Sequence, residues 1–198
     1  MRAYAFDIRE ALLKSGKSEF LKHGFEHASM RTICKNAGVT TGAFYAYFNK
    51  KEELFSSIVD PVIEKFYETC QTILHLQKKE HYTNGDSELH SIEFMIRHRE
   101  EFRLLFDCSA GTKYENFQEE VLNGFMLKSY QTHLDFYIGK KVDPNLVNIL
   151  LRMKFEEYRQ LLYGSYSLEE ARMIVKNLTS FTEAGFIQLM KDLQTAEN

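Results

Sequence analysis

Between residues 28 and 53 the chain reads ASMRTICKNAGVTTGAFYAYFNKKEE, two short helical patterns joined by Ala37-Gly38-Val39. A connection of about three residues that contains glycine is what a helix-turn-helix requires, and few other arrangements accommodate it. Ser29 is suited to cap the first helix, and Met30, Ile33, Cys34 and Ala37 follow at the spacing of one buried face. Thr40 or Thr41 opens the second helix, with Phe44 and Phe48 four apart on its inward side. The remaining residues of that second helix are expected to face outward. Tyr47 is expected to be the more exposed of its two tyrosines, whereas Tyr45, next to Phe44, has a core alternative.

The run Val39-Thr40-Thr41-Gly42-Ala43-Phe44-Tyr45-Ala46-Tyr47-Phe48-Asn49-Lys50-Lys51-Glu52-Glu53-Leu54 resembles the recognition helix and the start of the fourth helix in the TetR family of bacterial transcriptional regulators. Small, hydroxyl, aromatic and basic residues must all fall at set spacings for this match, and it covers about the first 60 residues. The resemblance implies an all-α fold with an N-terminal three-helix DNA-binding domain over 1–50 and a larger helical effector-binding and dimerisation domain over 51–198. It implies a homodimer on a palindromic operator in double-stranded DNA, with an unknown small-molecule effector releasing a repressor. A ligand-independent activator, or a helical ligand-binding protein or enzyme using the C-terminal cavity, are the alternatives.

Charge fits a DNA-binding head. The whole chain carries a net charge of -3, yet residues 1–50 net +4 and leave -7 for the rest. Phosphate attraction acts through the local patch, so this asymmetry matters more than the sum. The DNA-facing set expected here is Ser29, Arg31, Thr40, Thr41, Gly42, Ala43, Tyr45, Tyr47 and Lys51. Ser29 and Thr40 offer a hydroxyl beside the amides of a helix N-terminus, which suits phosphate. Lys51 matches the family's phosphate-contacting lysine. No Arg, Lys, Asn or Gln lies on the outward side of the second helix, so the bidentate forks that read guanine or adenine are missing there.

The rest of the chain reads as helices. The first is expected over about Ala5 to His23, with Gly16 small at a buried position and Gly24 ending it. A long helix starts near Lys50 or Lys51, with Asn49 as its cap, and Pro61 predicts a kink or break within it. A loop over 81–86 follows, then one helix or two to Phe106, a loop at Ser109–Thr112, and a helix from about Glu115 to Ile138. Pro144 sits where a further helix begins, and Ser167 with Glu170 forms a capping box for the last one. These two terminal helices carry more apolar residues than one buried face uses, which predicts a dimer through about 145–190.

Effector contacts are expected from Phe66, Cys70, Met95, His98, Phe102, Phe125, Met126, Tyr130, Phe155 and Tyr158, an aromatic, mildly polar set suited to a flat or lipophilic molecule. No metal-ligand spacing, nucleophile motif or phosphate-cradling loop occurs, so neither enzyme activity, a cofactor nor a metal is expected. Three widely spaced cysteines, charges within the first ten residues and no apolar run near 20 residues point to a cytoplasmic protein without a membrane partner.

Overall fold

A computed structural model describes residues 2–79 and 85–195, and among them every regular element is helical. The chain packs as two compact units: the first runs to Thr69 and includes His98–Phe117, and the second comprises Cys70–Arg97 and the chain from Gln118 onward.

The first unit is built on α1 (Arg2–His27), against which α2 (Met30–Asn36) packs. Gly24 lies at φ 72 and ψ 165, a conformation that only glycine adopts readily, and it re-aims the chain instead of ending the helix outright. One more turn follows, closed by the Ala28 N–H donating to the Gly24 carbonyl at 3.1 Å, while the Phe25 N–H donates to the Cys108 carbonyl at 2.9 Å. Gly16 serves the close approach read from the sequence: a methyl placed there would lie 2.6 Å from Leu54 Cδ2. Leu12, Phe20, Ile33, Phe44, Leu54, Phe55 and Val59 fill the core, with Phe20, Phe25 and Phe55 in mutual ring contact.

After α3 (Thr41–Phe44), α4 (Lys51–Lys79) opens with Glu52 and Glu53 in its first turn. Asn49 is not the acceptor cap expected of it; its backbone and side-chain N–H groups both donate to Glu53 Oε2, at 2.7 and 2.9 Å. Pro61 does not break α4, which is helical throughout. An interior proline costs about 3 kcal/mol, and the buried Val59, Val62 and Phe66 around it hold the helix in place.

The loop expected over 81–86 falls largely on 80–84, outside the described residues; α5 (Gly85–Arg97) already includes Gly85 and Asp86. The two-helix alternative holds, with α6 (Arg99–Asp107) separated from α5 by His98. The next helix begins at Phe117 instead of Glu115. Side chains claim the backbone just before it: Ser109 Oγ donates to the Leu105 and Tyr114 carbonyls, and Thr112 Oγ1 donates to the Ser109 carbonyl. A single turn, α7 (Phe117–Glu120), passes into a π-helical segment, Val121–Met126, which the sequence gave no reason to expect, and then into α8 (Leu127–Ile138).

In the second unit α9 (Pro144–Tyr163) starts with proline in its first turn and Asp143 accepting from the Asn145 N–H at 2.9 Å. The Ser167–Glu170 capping box opens α10 (Leu168–Thr195): Glu170 N–H donates to Ser167 Oγ at 3.2 Å, and Ser167 N–H to Glu170 Oε2 at 2.8 Å. Leu134, Ile138, Val142 and Val147 form a core cluster against which Phe186, Met190 and Leu193 pack.

Candidate nucleic-acid interface

Both helices of the 28–53 stretch are capped as their sequence directs. Ser29 Oγ accepts from the Thr32 N–H at 3.3 Å, and Thr40 Oγ1 accepts from the Ala43 N–H at 3.2 Å. Gly38 makes the turn between them at φ 71. Ile33, Cys34, Phe44 and Phe48 are buried. Arg31, Thr40, Thr41 and Gly42 are exposed, and Ser29 and Ala43 are half-buried. A methyl at Gly42 would meet only Thr40 Oγ1, at 3.8 Å, so nothing within the chain requires a glycine there.

The second helix is shorter than its pattern suggests. Beyond Phe44 the backbone tightens, with Ala46 N–H donating to the Ala43 carbonyl and Tyr47 N–H to the Phe44 carbonyl, both three residues back. This reverses the expected order of the tyrosines: Tyr45 is 59% exposed, and Tyr47 is half-buried. Lys35, exposed and one turn beyond Arg31, joins that residue on the outer side of α2. The four-residue spacing of the two basic residues was the available signal for it. Lys50 is also exposed but is engaged by Glu52 at 2.7 Å.

Lys51 is placed differently. Its Nζ donates to the carbonyls of Phe25, Glu26 and Ala28 at 2.5, 3.1 and 3.2 Å and lies 4.5 Å from the centre of the Phe25 ring. Burial pushes its ammonium below the ordinary lysine range, with Glu26 opposing. Opposite, Glu19 Oε1 accepts from the Ser29 N–H at 3.0 Å.

The ten effector candidates divide between the units. In the first, Phe66 and Phe102 are buried with ring centres 5.5 Å apart, and half-buried His98 lies 4.0 Å from Glu101. In the second, Met95, Phe155 and Tyr158 are buried, while Met126 and Tyr130 are half-buried. Burial pushes the Cys70 thiol up to about 11, and the Phe125 side chain lies outside the described residues. A cleft of about 770 Å³ in the first unit and one of about 420 Å³ in the second are lined by other residues.

A second surface lies on the terminal helices. Ile149 and Met153 on α9, and Met173, Phe181 and Ile187 on α10, are exposed, Met153 at 64% and Phe181 at 77%. On each helix they fall at the spacing of one broad stripe.

Residues 12–58 match the model of the bacterial regulatory proteins of the tetR family. The HTH-type transcriptional regulator YdgC of Bacillus subtilis is 31% identical over 74 residues, which make up 37% of this chain and 38% of that protein. The HTH-type transcriptional repressor BepR of Brucella suis is 38% identical over 58 residues, 29% of this chain and 28% of that one. These alignments span well under half the length of either relative. A transcriptional regulator from Aquifex aeolicus VF5 shares the fold at TM-score 0.61 and 20% identity, covering 88% of this chain and 99% of that one. No helix among the described residues is long and apolar enough to cross a membrane. With a family match centred on the helix-turn-helix and an all-helical fold shared with a known regulator, this chain belongs to the TetR family of bacterial transcriptional regulators.

Proposed function

We propose that this chain is a homodimeric, cytoplasmic regulator that binds a palindromic operator in double-stranded DNA and represses transcription until a small molecule occupies its C-terminal part. The observation that carries the reading is the outward side of α3: exposed hydroxyls, Gly42 and Tyr45 stand on a helix whose apolar residues are all turned inward. Residues 1–50 make up the DNA-binding part and 51–198 the effector and dimerisation part. Arg31 meets phosphate or a base edge from α2. Thr40, Thr41, Gly42, Ala43, Tyr45 and Tyr47 form the groove-facing surface, and Ser29 contributes its hydroxyl. Contacts of this kind give weak base readout and leave selectivity to DNA shape.

The exposed stripes on α9 and α10 supply the dimer face, and two-fold symmetry then dictates a palindromic site. Repression is supported by the printed function of the Brucella suis relative, which matches across the DNA-binding stretch. Release requires an effector that binds the DNA-free arrangement more tightly than the DNA-bound one, since equal affinity shifts nothing. The aromatic candidates favour a flat or lipophilic molecule.

The test is selection from a randomised duplex pool with the purified full chain. The expected result is enrichment of an inverted repeat whose half-sites lie about one helical turn apart. Absence of any enriched sequence contradicts the reading. A compound library is then screened by melting shift, and hits are expected to release the selected duplex.

A further inference from the structure

The five residues that join α1 to α2 are held by two charged side chains from other parts of the first unit. Gly24 turns the chain, and Phe25–Ala28 form a single turn whose carbonyls have lost the regular helical continuation. Lys51 meets this need with one ammonium: its three protons go to the carbonyls of Phe25, Glu26 and Ala28. The ring of Phe25 covers the ammonium. On the other side stands Glu19, 7% exposed, whose carboxylate takes the Ser29 N–H. A carboxylate at a helix N-terminus also suits the dipole of α2. Ser15 Oγ adds a bond to the Ile33 carbonyl at 2.8 Å, tying the next turn of α2 to the same face of α1.

We propose that Glu19 and Lys51 are positioning residues that fix the entry of α2 and thereby aim Arg31 and α3, and that Lys51 does not serve as a phosphate contact. The inference rests on the DNA-binding reading above. Both groups that sequence comparison would offer to phosphate at this corner, the Ser29 amide and the Lys51 ammonium, are already occupied within the protein. For Lys51 to reach a phosphate it must abandon three carbonyls and leave them unsatisfied, at a cost of about 1–3 kcal/mol for each that stays buried. The Glu19 carboxylate opposes an anion at the Ser29 amide as well.

Two measurements on the full chain test this. The first needs no DNA: amide hydrogen exchange by NMR. First-turn amides of a helix ordinarily exchange fast, so the clasp predicts a Ser29 amide about tenfold or more slower than those of Met30 and Arg31. Glu19→Ala removes that protection, and Glu19→Gln, which keeps a carbonyl acceptor, largely retains it. A Ser29 amide as fast as its neighbours in the unsubstituted protein overturns the proposal.

The second measurement compares Lys51→Met with Arg31→Met on the selected duplex and on a scrambled duplex of equal length, across a salt series. A lost phosphate contact lowers the log–log salt slope by about 0.9. Arg31→Met is expected to show that drop. Lys51→Met is expected to leave the slope unchanged and to weaken the selected duplex about tenfold more than the scrambled one. A slope reduced by about one, with equal weakening on both duplexes, makes Lys51 a phosphate contact and overturns the proposal. A lower melting temperature with the ratio of the two affinities unchanged reduces Lys51 to a structural role and also overturns it. If Lys51→Met does not fold, the exchange of Ser29 in the unsubstituted and Glu19 variants still decides. A chain that binds no duplex contradicts the regulator reading, whereas a fast Ser29 amide contradicts the clasp.

Discussion

The α2–α3 stretch and the α9–α10 pair dispose of their apolar residues in opposite ways. In the first, Phe44 and Phe48 are at most 2% exposed, and the outer side carries hydroxyls, Gly42, Tyr45 and basic residues. In the second, Leu151, Phe155, Leu161 and Leu162 are buried, yet Ile149, Met153, Met173, Phe181 and Ile187 remain in solvent. A helix pair with an inner apolar face and an outer polar one is complete without a partner except for whatever its polar side recognises. A pair with apolar residues on two sides is incomplete alone. Two kinds of partner are thereby distinguished within one chain: a hydrated, charged one for the first region and a second apolar helix surface for the other.

The comparison breaks most visibly at Phe44. Phe44→Ala is expected to destabilise the fold by about 3–5 kcal/mol in denaturant melts, because the side chain is wholly buried. A loss under about 1 kcal/mol would mean that the head is not organised around it. Phe181→Glu probes the opposite face. The chain is expected to stay folded by circular dichroism, while sedimentation shows dimers dissociating at concentrations raised by about a hundredfold, roughly 2.7 kcal/mol. Unchanged assembly would assign the α10 stripe to ordinary surface. Ser167→Ala sharpens the picture at the start of α10, where loss of the capping hydroxyl costs about 1 kcal/mol; a change within noise would show that the helix start is fixed by packing instead. The mildest probe is chemical. With its thiol raised to about 11 by burial, Cys70 is expected to alkylate at pH 8 roughly a hundredfold more slowly than a free thiol, and rapid labelling would open that side chain to solvent or to a cavity.

What the sequence revealed was what neighbours along the chain decide. The caps at Ser29, Thr40 and Ser167, the proline start at Pro144 and the turn at Gly38 follow from residues at most four apart, and each is found in place. Gly16 was legible too, because smallness at a buried helical position implies a close neighbour, here Leu54. Other features depend on distant residues. Lys51 finds its acceptors 23 to 26 residues away in sequence, so its pattern suggested only a charge at a helix start. Pro61 reads locally as a breaker, but buried Val59 and Val62 on either side override it. The tyrosines were misordered because periodicity was carried past Phe44, where the helix tightens and its register ends. Effector residues resist this kind of reading altogether: buried aromatics at helical spacing look the same in a core as around a cavity, and Phe66 and Phe155 fall in different units.

The central claim is that α3 approaches DNA without a base-reading fork and is held there by groups beside it. The most direct test is a complete base-substitution series across the selected duplex, with the affinity measured at each position for the full chain. The account predicts that single substitutions opposite α3 each cost less than about 1 kcal/mol, with the effects spread across the site and following DNA deformability. A single G·C pair whose replacement opposite α3 costs about 2–3 kcal/mol would reveal a bidentate contact and contradict it.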